Sequence, residues 1–184
     1  MAVVDLTPET WGEFAELVER NNGVYGGCWC IAFHPRELHG PDHRLSKERL
    51  VRAGEAHAAL VLDEEGNAQG WCQYGPAASL DIKHRREYEK EPPPAPDWRL
   101  TCVFTDRRHR RRGVARQAVE GALAAITARG GGLVEVISET TAGRVAHDRF
   151  LFSGTAELFD DLGFDRVRQV GKHAWIMQRQ IAPA

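Results

Sequence analysis

The sequence has no long run of apolar residues and no strong excess of charge of either sign. No stretch approaches the roughly 18 apolar residues that a membrane-spanning helix needs, so we expect no such helix. The 24 Lys and Arg residues nearly balance the 26 Asp and Glu residues, which gives a formal net charge of −2. A protein that binds nucleic acid through its overall charge would be more basic. Residues 1–7 have neither a basic nor an apolar segment, so we expect no signal peptide.

Cysteine is scarce, with four residues in 184: Cys28, Cys30, Cys72 and Cys102. Without an export signal, we interpret them as reduced thiols of a cytoplasmic protein. Cys28 and Cys30 are separated by one residue, whereas paired zinc ligands are separated by two to four. Even with His34 and His39 nearby, we therefore expect no metal site, and we interpret both cysteines as small buried residues.

The remaining composition indicates one folded domain over residues 1–184. Apolar residues make up 42% of the chain and charged residues 27%, a balance that excludes a disordered protein. The hydrophobic pattern predicts an α/β domain with seven strands and four helices. The predicted strands cover 2–6, 58–62, 68–74, 99–105, 133–138, 164–170 and 173–179, and the later helices cover 47–56, 113–128 and 155–162.

Capping residues predict where the first two helices begin. Thr7 is the predicted N-cap of the first helix and Ser46 that of the second. The second helix would turn Leu45, Leu50 and Val51 towards the core.

Three connections have no regular pattern. Residues 23–42 form a long connection with one helical turn at most. Residues 77–98 are polar and end in a proline-rich stretch, which predicts a stiff surface connection. Residues 140–152 are predicted to be an irregular loop.

A basic turn lies between the predicted strand 99–105 and the helix 113–128. Its residues are Arg110, Arg111, Arg112, Gly113, Val114 and Ala115. Backbone N–H groups at a helix start lack partners and bind phosphate oxygens. Gly113 allows the anion to approach, and the arginines add positive charge. The turn has neither the Gly-Lys-Ser/Thr of a P-loop nor a three-glycine dinucleotide motif. It predicts a phosphate or pyrophosphate site, the alternative being a solvated or nucleic-acid-binding face over 107–112.

These residues resemble a family signature. Arg110 to Ala115 is similar to the Arg/Gln-x-x-Gly-x-Gly/Ala motif of the GNAT acyltransferase superfamily, at the same place between the fourth strand and the next helix. Residues 154–164 resemble the short C-terminal helix of that family, which ends in Leu-Gly-Phe. Gly70-Trp71 fits its third strand and residues 172–179 fit its last strand. The resemblance covers nearly the whole chain. It implies a mixed, mostly antiparallel sheet that is splayed into a V and flanked by helices.

The resemblance also implies a cofactor and a reaction. Acetyl-CoA would be the co-substrate, with its pyrophosphate on the amides of Arg111 to Ala115 and its pantetheine arm along Val103, Phe104 and Thr105. The acetyl group would pass directly to an amine, with no metal. The amine would enter between the first helices and the 77–98 connection.

Four residues are candidates for catalytic roles. Many relatives carry a proton-donating tyrosine at the position of Phe159, which we expect to contact the cofactor without donating a proton. Ser153 and Thr155 are replacement candidates, although Ser153 is also a candidate helix N-cap. Glu135 interrupts an apolar strand, so it is either a buried base or a solvent-facing residue. Cys102 is a core residue or a nucleophile.

The acceptor amine cannot be identified from the sequence. Trp29, Phe33 and Trp71 are candidates for its pocket wall, or else core residues. His147 and Asp148 are further candidates on the acceptor side. Charged residues at 87, 89 and 91 would attract a cationic amine or form a solvated face. We weigh two other functions, a catalytically silent CoA-binding sensor and a nucleic-acid-binding module. A homodimer is the default assembly.

Overall fold

Seven strands form one sheet in the computed structural model, which describes residues 1–143 and 151–184. The strands are β1 (Ala2–Asp5), β2 (His57–Leu62), β3 (Ala68–Pro76), β4 (Trp98–Thr105), β5 (Gly132–Glu139), β6 (Asp165–Gln169) and β7 (Ala174–Ile181). Their order across the sheet is β1-β2-β3-β4-β5-β7-β6. Neighbours pair antiparallel except β4 and β5, which pair in parallel. The predicted mixed, mostly antiparallel sheet is confirmed.

Five helices accompany the sheet within the described residues. They are α1 (Trp11–Glu19), α2 (His43–Arg52), α3 (Arg85–Tyr88), α4 (Val114–Ala128) and α5 (Ala156–Asp161). Single 3-10 turns occur at Arg36–Leu38, Ala77–Ser79 and Arg107–His109. Across the described part of the chain, none of the helices has the length and apolar character required to span a membrane.

The sheet divides between β4 and β5. These two strands pair only from Trp98 to Leu100, opposite Val134 to Val136. Further along β4, the N–H of Val103 donates to the carbonyl oxygen of Phe152 at 2.7 Å rather than to β5. The two half-sheets therefore separate beyond this short junction, which produces the predicted V.

Both faces of the sheet are covered, so alternate residues of the central strands enter two different cores. Helices α4 and α5 cover one face, where Val119, Ile126 and Phe159 are buried. Helices α1 and α2 cover the other face, where Trp71 stacks on Phe104 with ring centroids 4.6 Å apart.

The first helix begins later than predicted. Thr7 is not its N-cap, because the N–H of Thr7 donates to Oγ1 of Thr10 at 2.9 Å and closes a turn over these residues. Helix α1 starts after that turn, at Trp11.

The second helix begins earlier than predicted. The side chain of Asp42 accepts a hydrogen bond from the N–H of Leu45 at 3.0 Å, so Asp42 is the N-cap. Ser46 lies inside the helix, where its hydroxyl donates to the carbonyl oxygen of Asp42 at 2.8 Å. Leu50 and Val51 are buried as predicted, but Leu45 is 58% exposed, since it lies on the opposite side of the helix.

The 77–98 connection contains more structure than the prolines suggest. It includes α3, and the side chain of Tyr88 at the end of this helix is 8% exposed. The segment is therefore attached to the sheet by a buried side chain and does not simply run across the surface.

Candidate active site

A cleft of about 510 Å³ opens where β4 ends and α4 begins. Its walls are Tyr25, Val103, Phe104, Thr105, Arg110, Arg111, Gly113, Val114, Ala115, Arg116, Leu151, Gly154, Thr155 and Leu158. Eight of the ten residues predicted to bind the cofactor lie in this wall. The structure therefore brings together the basic turn, the end of β4 and the start of α5.

The basic turn contains two residues with left-handed backbone conformation. Gly113 occupies the N-cap position of α4 with φ +79°, and Arg111 has φ +60°. A non-glycine residue in this left-handed region is uncommon. The first residues of the 15-residue helix α4 line the cleft, and N–H groups in the first turn of a helix have no partners within that helix. Arg111 contributes positive charge beside them.

Asp106 fixes this turn, and sequence reasoning missed it. Its side chain is 1% exposed and accepts hydrogen bonds from Nε of Arg20 at 3.0 Å and from the N–H of Arg108 at 3.0 Å. Burial would raise the pKa of Asp106, but the hydrogen bonds from Arg108 and Arg20 outweigh it and hold that pKa well below its usual value. The position of Asp106, directly after a buried strand and before a turn, was the sequence feature that could have predicted this role.

Two predicted cofactor residues lie away from the cleft wall. Arg112 is exposed and does not line the cleft. Phe159 is fully buried in the core, with its ring centroid 5.2 Å from that of Phe164. Its neighbour Leu158 lines the cleft instead, because consecutive helix residues point in different directions.

The middle of β4 already has a backbone partner. Phe152 accepts from the N–H of Val103 at 2.7 Å, and the hydroxyl of Ser153 donates to the carbonyl oxygen of Thr101 at 2.7 Å. The segment 151–154 therefore lies in the opening between the half-sheets. A ligand arm that pairs with Val103 would have to replace the Phe152 carbonyl.

Glu135 is buried on β5 and not solvent-facing, with 0% exposure. Its carboxylate accepts hydrogen bonds from the hydroxyl of Tyr88 at 2.9 Å, from Nε2 of Gln178 at 2.9 Å and from Nε of Arg99 at 3.2 Å. Three donors compensate a buried negative charge. Sequence reasoning found the carboxylate but not these partners, which come from three separate elements.

Ser153 is 2% exposed and is not the N-cap of the last helix. Thr155 holds that position, and its side-chain oxygen accepts from the N–H of Leu158 at 3.2 Å. Ser153 instead bonds to β4 at Thr101, so it faces the junction of the two half-sheets.

Lys83 is a second residue that sequence reasoning missed. Its ammonium group lies 4.7 Å from the centroid of the Phe152 ring, and within the described residues Nζ is buried without a hydrogen-bond acceptor. Burial lowers the pKa of Lys83 to about 8, although Glu139 opposes this effect. Lys83, Glu135 and Ser153 line a common void of about 10 Å³. Such a void is about the size of one water.

A second cavity adjoins the cleft through Tyr25. It has a volume of about 430 Å³, and its walls are Tyr25, Cys28, Cys30, Ala32, Phe33, Cys102 and Phe152. We call it the apolar pocket. Phe33 and Cys102 belong to its wall, whereas Trp71 is a fully buried core residue and Trp29 stacks on Trp11 at 6.2 Å.

Two further residues that were predicted on the acceptor side, His147 and Asp148, lie outside the described residues. Among the residues that are described, no group of three or more His, Cys, Asp or Glu side chains is arranged to hold a metal ion.

Comparison with known proteins gives one family and several similar structures. The model of the acetyltransferase (GNAT) family matches residues 16–151. No curated protein matches the chain in sequence. A protein from Desulfovibrio desulfuricans assigned to the GNAT family has a TM-score of 0.58 at 14% identity, covering 98% of this chain and 100% of its own.

Two further structures share the fold. A Corynebacterium glutamicum protein described as histone acetyltransferase HPA2 and related acetyltransferase has a TM-score of 0.55 at 19% identity, covering 100% of this chain and 96% of its own. An Escherichia coli GNAT family N-acetyltransferase in complex with CoA has a TM-score of 0.52 at 15% identity, covering 98% and 81%. At these identities the likeness concerns the fold alone.

Proposed function

Because this chain belongs to the GNAT family of acetyltransferases, we propose that it transfers an acetyl group from acetyl-CoA directly to an amine. The observation that carries the proposal is the cleft at the start of α4, where a left-handed glycine, unpaired helix N–H groups and arginines meet the end of β4. A site of this kind suits a pyrophosphate. The CoA bound to the Escherichia coli structure of the same fold supports this proposal.

The proposed cofactor contacts follow the cleft from end to end. The amides from Arg111 to Ala115 would hold the pyrophosphate, and Arg110 would add charge to that end. The pantetheine arm would run along β4 from Thr105 towards Val103 and exchange with the Phe152 carbonyl there. Open space above Gly113 supports a pyrophosphate at this end of the cleft. A Cβ placed on Gly113 would meet nothing nearer than Nε2 of Gln117 at 3.9 Å.

Acetyl transfer requires a neutral amine, a donor for the developing oxyanion and an exit for the CoA thiolate. The amine nitrogen would attack the thioester carbon, the C–S bond would break, and the amine would give up one proton. We propose that this proton reaches Glu135 through the water-sized void that it shares with Ser153 and Lys83. Ser153 would relay a proton or donate to the oxyanion at the junction of β4 and β5.

The amine would reach this junction from the apolar pocket, which lies beside the cleft. We also propose a cytoplasmic location, since four free cysteines suit a reducing compartment.

Calorimetric titration with acetyl-CoA tests the proposal, with free CoA and ATP as comparison ligands. We expect both CoA forms to bind and ATP to bind much more weakly, because ATP lacks the pantetheine arm. Absence of CoA binding at low salt would overturn the assignment of the cleft. A panel of amines, with release of free CoA thiol as the readout, then tests transfer.

A catalytically silent CoA-binding protein is the second candidate, and Phe159 is the observation that favours it. This residue is a buried phenylalanine where many relatives carry a tyrosine that donates a proton. Binding of CoA without thiol release over a broad amine panel would support the silent alternative. Turnover with any amine would exclude it.

A further inference from the structure

The apolar pocket has an uncharged wall. Among the residues that the structure describes, three aromatic residues, three cysteines and Ala32 line it, and none of them carries a carboxylate, an amide or a basic side chain. The volume of the pocket is about 430 Å³. Since an apolar cavity of roughly 150 Å³ binds benzene, this pocket has room for a small organic molecule.

The pocket borders both the proposed cofactor site and the proposed base. Tyr25 belongs to its wall and to the wall of the cofactor cleft. Phe33 belongs to its wall and to that of the water-sized void, which Glu135 and Ser153 also line. A molecule in the pocket would therefore have the cofactor on one side and the base on another, which is the position that an acceptor amine requires.

The aromatic residues of the pocket wall lie close together. The ring centroid of Phe152 is 6.1 Å from that of Tyr25 and 5.8 Å from that of Phe33. Rings at these separations offer faces and edges to a hydrocarbon group, which gains free energy by leaving water. The wall is therefore suited to the apolar body of a ligand.

A cationic body has no counter-charge among the described residues of this wall. Moving an ammonium group from water into an apolar site costs free energy unless a negative charge compensates it. A neutral amine avoids that cost, and it is also the form with a lone pair for attack on the thioester. The pocket therefore favours an acceptor that carries one amine, which can lose its proton, on an uncharged body.

The acidic residues of the 77–98 connection do not supply the missing counter-charge. Oε1 of Glu87 lies 2.7 Å from Nζ of Lys90, and Oε2 of Glu91 lies 3.9 Å from Nε of Arg168. Neither glutamate belongs to the described wall of the apolar pocket. These carboxylates form surface ion pairs, so they do not draw a cationic acceptor into the pocket.

A lysine beside the wall also disfavours a cationic acceptor. Nζ of Lys83 is 4.7 Å from the ring centroid of Phe152. Burial lowers the pKa of Lys83 to about 8, so the group is an ammonium at pH 7 and repels a second positive charge near Phe152. An acceptor with an uncharged body experiences no such repulsion.

We propose that the acceptor is a small primary amine with an apolar, uncharged body, and that the apolar pocket binds this body. The inference rests on the proposed acetyl transfer and names the class of amine that takes part in it. Alkylamines and amines attached to a single aromatic ring belong to this class. Polyamines are poor acceptors, because they bring a second ammonium group into the pocket.

The reaction of such an amine is the transfer already described. The nitrogen forms a bond to the acetyl carbon, the C–S bond of acetyl-CoA breaks, and CoA leaves as the thiolate. The proton that the nitrogen loses goes to Glu135. The product is a neutral N-alkylacetamide, which lacks the basic nitrogen of the substrate.

Hexylamine and hexamethylenediamine test the proposal, because they share one carbon chain and differ by an amino group at its end. Release of CoA thiol from acetyl-CoA by the full-length protein gives kcat/KM for each amine. We expect kcat/KM to be higher for hexylamine by more than about tenfold, since the diamine places an uncompensated ammonium group in the pocket.

The possible outcomes separate this inference from the proposed function. An equal or higher kcat/KM for the diamine would overturn the inference and leave acetyl transfer standing. Faster transfer to hexylamine from hexanoyl-CoA than from acetyl-CoA would place the acyl chain in the pocket and would also overturn it. Absence of turnover with every amine would remove the proposed function, and the inference with it.

A carboxylate added to the pocket wall should change this preference. Ala32 is an exposed residue of the wall, so Ala32→Glu supplies a counter-charge without filling the core. We expect the ratio of kcat/KM for hexylamine to that for the diamine to fall by about tenfold, while the Kd for acetyl-CoA stays unchanged.

Ala124→Glu is the matched control, because Ala124 is exposed on α4, which covers the opposite face of the sheet. This control should keep the wild-type ratio. An unchanged ratio in a folded Ala32→Glu variant would contradict the inference. If Ala32→Glu does not fold, the comparison of the two amines with the wild type still decides it.

Discussion

Arg99 and Glu135 are register partners across β4 and β5, and Nε of Arg99 lies 3.2 Å from Oε1 of Glu135. This ion pair stands at the short junction where the two half-sheets meet. Tyr88 brings the 77–98 connection to it, and Gln178 brings β7. Four separate parts of the chain are therefore joined through one buried carboxylate.

Glu135→Gln should destabilise the protein by about 3 kcal/mol, because it leaves the Arg99 guanidinium without a counter-charge. Urea unfolding at neutral pH measures this change. Glu120→Gln is the control, since Glu120 belongs to an exposed pair on α4 and should change stability by less than about 0.5 kcal/mol. If Glu135→Gln lowers the free energy of unfolding by as little as the control does, the ion pair does not stabilise the fold as predicted.

The same Glu135→Gln variant should lower kcat by about 100-fold while the Kd for acetyl-CoA stays unchanged, if Glu135 accepts the amine proton. Rates are compared at a temperature where the variant is fully folded. Tyr88→Phe removes one hydrogen bond and keeps the carboxylate, so it should cost much less activity. Unchanged turnover in Glu135→Gln would remove this residue from the mechanism.

Gly113→Asp should weaken acetyl-CoA binding by more than about tenfold. The left-handed φ of +79° disfavours any side chain, and a carboxylate beside the proposed pyrophosphate site repels the ligand. Gly54→Asp is the matched control, because Gly54 has φ +71° with open space around it and lies outside the cleft. Calorimetric titration separates the two variants, and equal affinities for acetyl-CoA would refute the proposed pyrophosphate site.

Lys83→Met should raise Tm at pH 7 by about 3 °C. The folded protein disfavours the Lys83 cation, since burial lowers its pKa from 10.5 to about 8. Between pH 8 and 10.5 the unfolded wild type binds more protons than the folded wild type, so wild-type stability rises with pH. The difference in Tm between Lys83→Met and the wild type should therefore decrease from pH 8 to pH 10.5. Lys90→Met should show no such trend in parallel thermal melts.

The strand, turn and helix that border the cleft could be predicted from the sequence because their features are local. A strand, a basic turn with Gly113 and an amphipathic helix follow one another directly, so their geometry depends on neighbouring residues. Tyr88 and Lys83 lie in a polar segment without periodicity, and their burial depends on contacts with distant strands. Lys47 is buried on α2 and shares the helix face of Leu50 and Val51, at spacings of three and four residues, so its burial could have been predicted.

The hydrogen bond from Val103 to Phe152 bears on the kinetics of ligand entry. If the pantetheine arm pairs with Val103, this bond must open first, and opening is a unimolecular event. In stopped-flow mixing, the observed association rate would then level off at high acetyl-CoA concentration instead of rising in proportion to it. The plateau would equal the opening rate of the 151–154 segment, so one backbone hydrogen bond would set the upper limit on how fast acetyl-CoA binds.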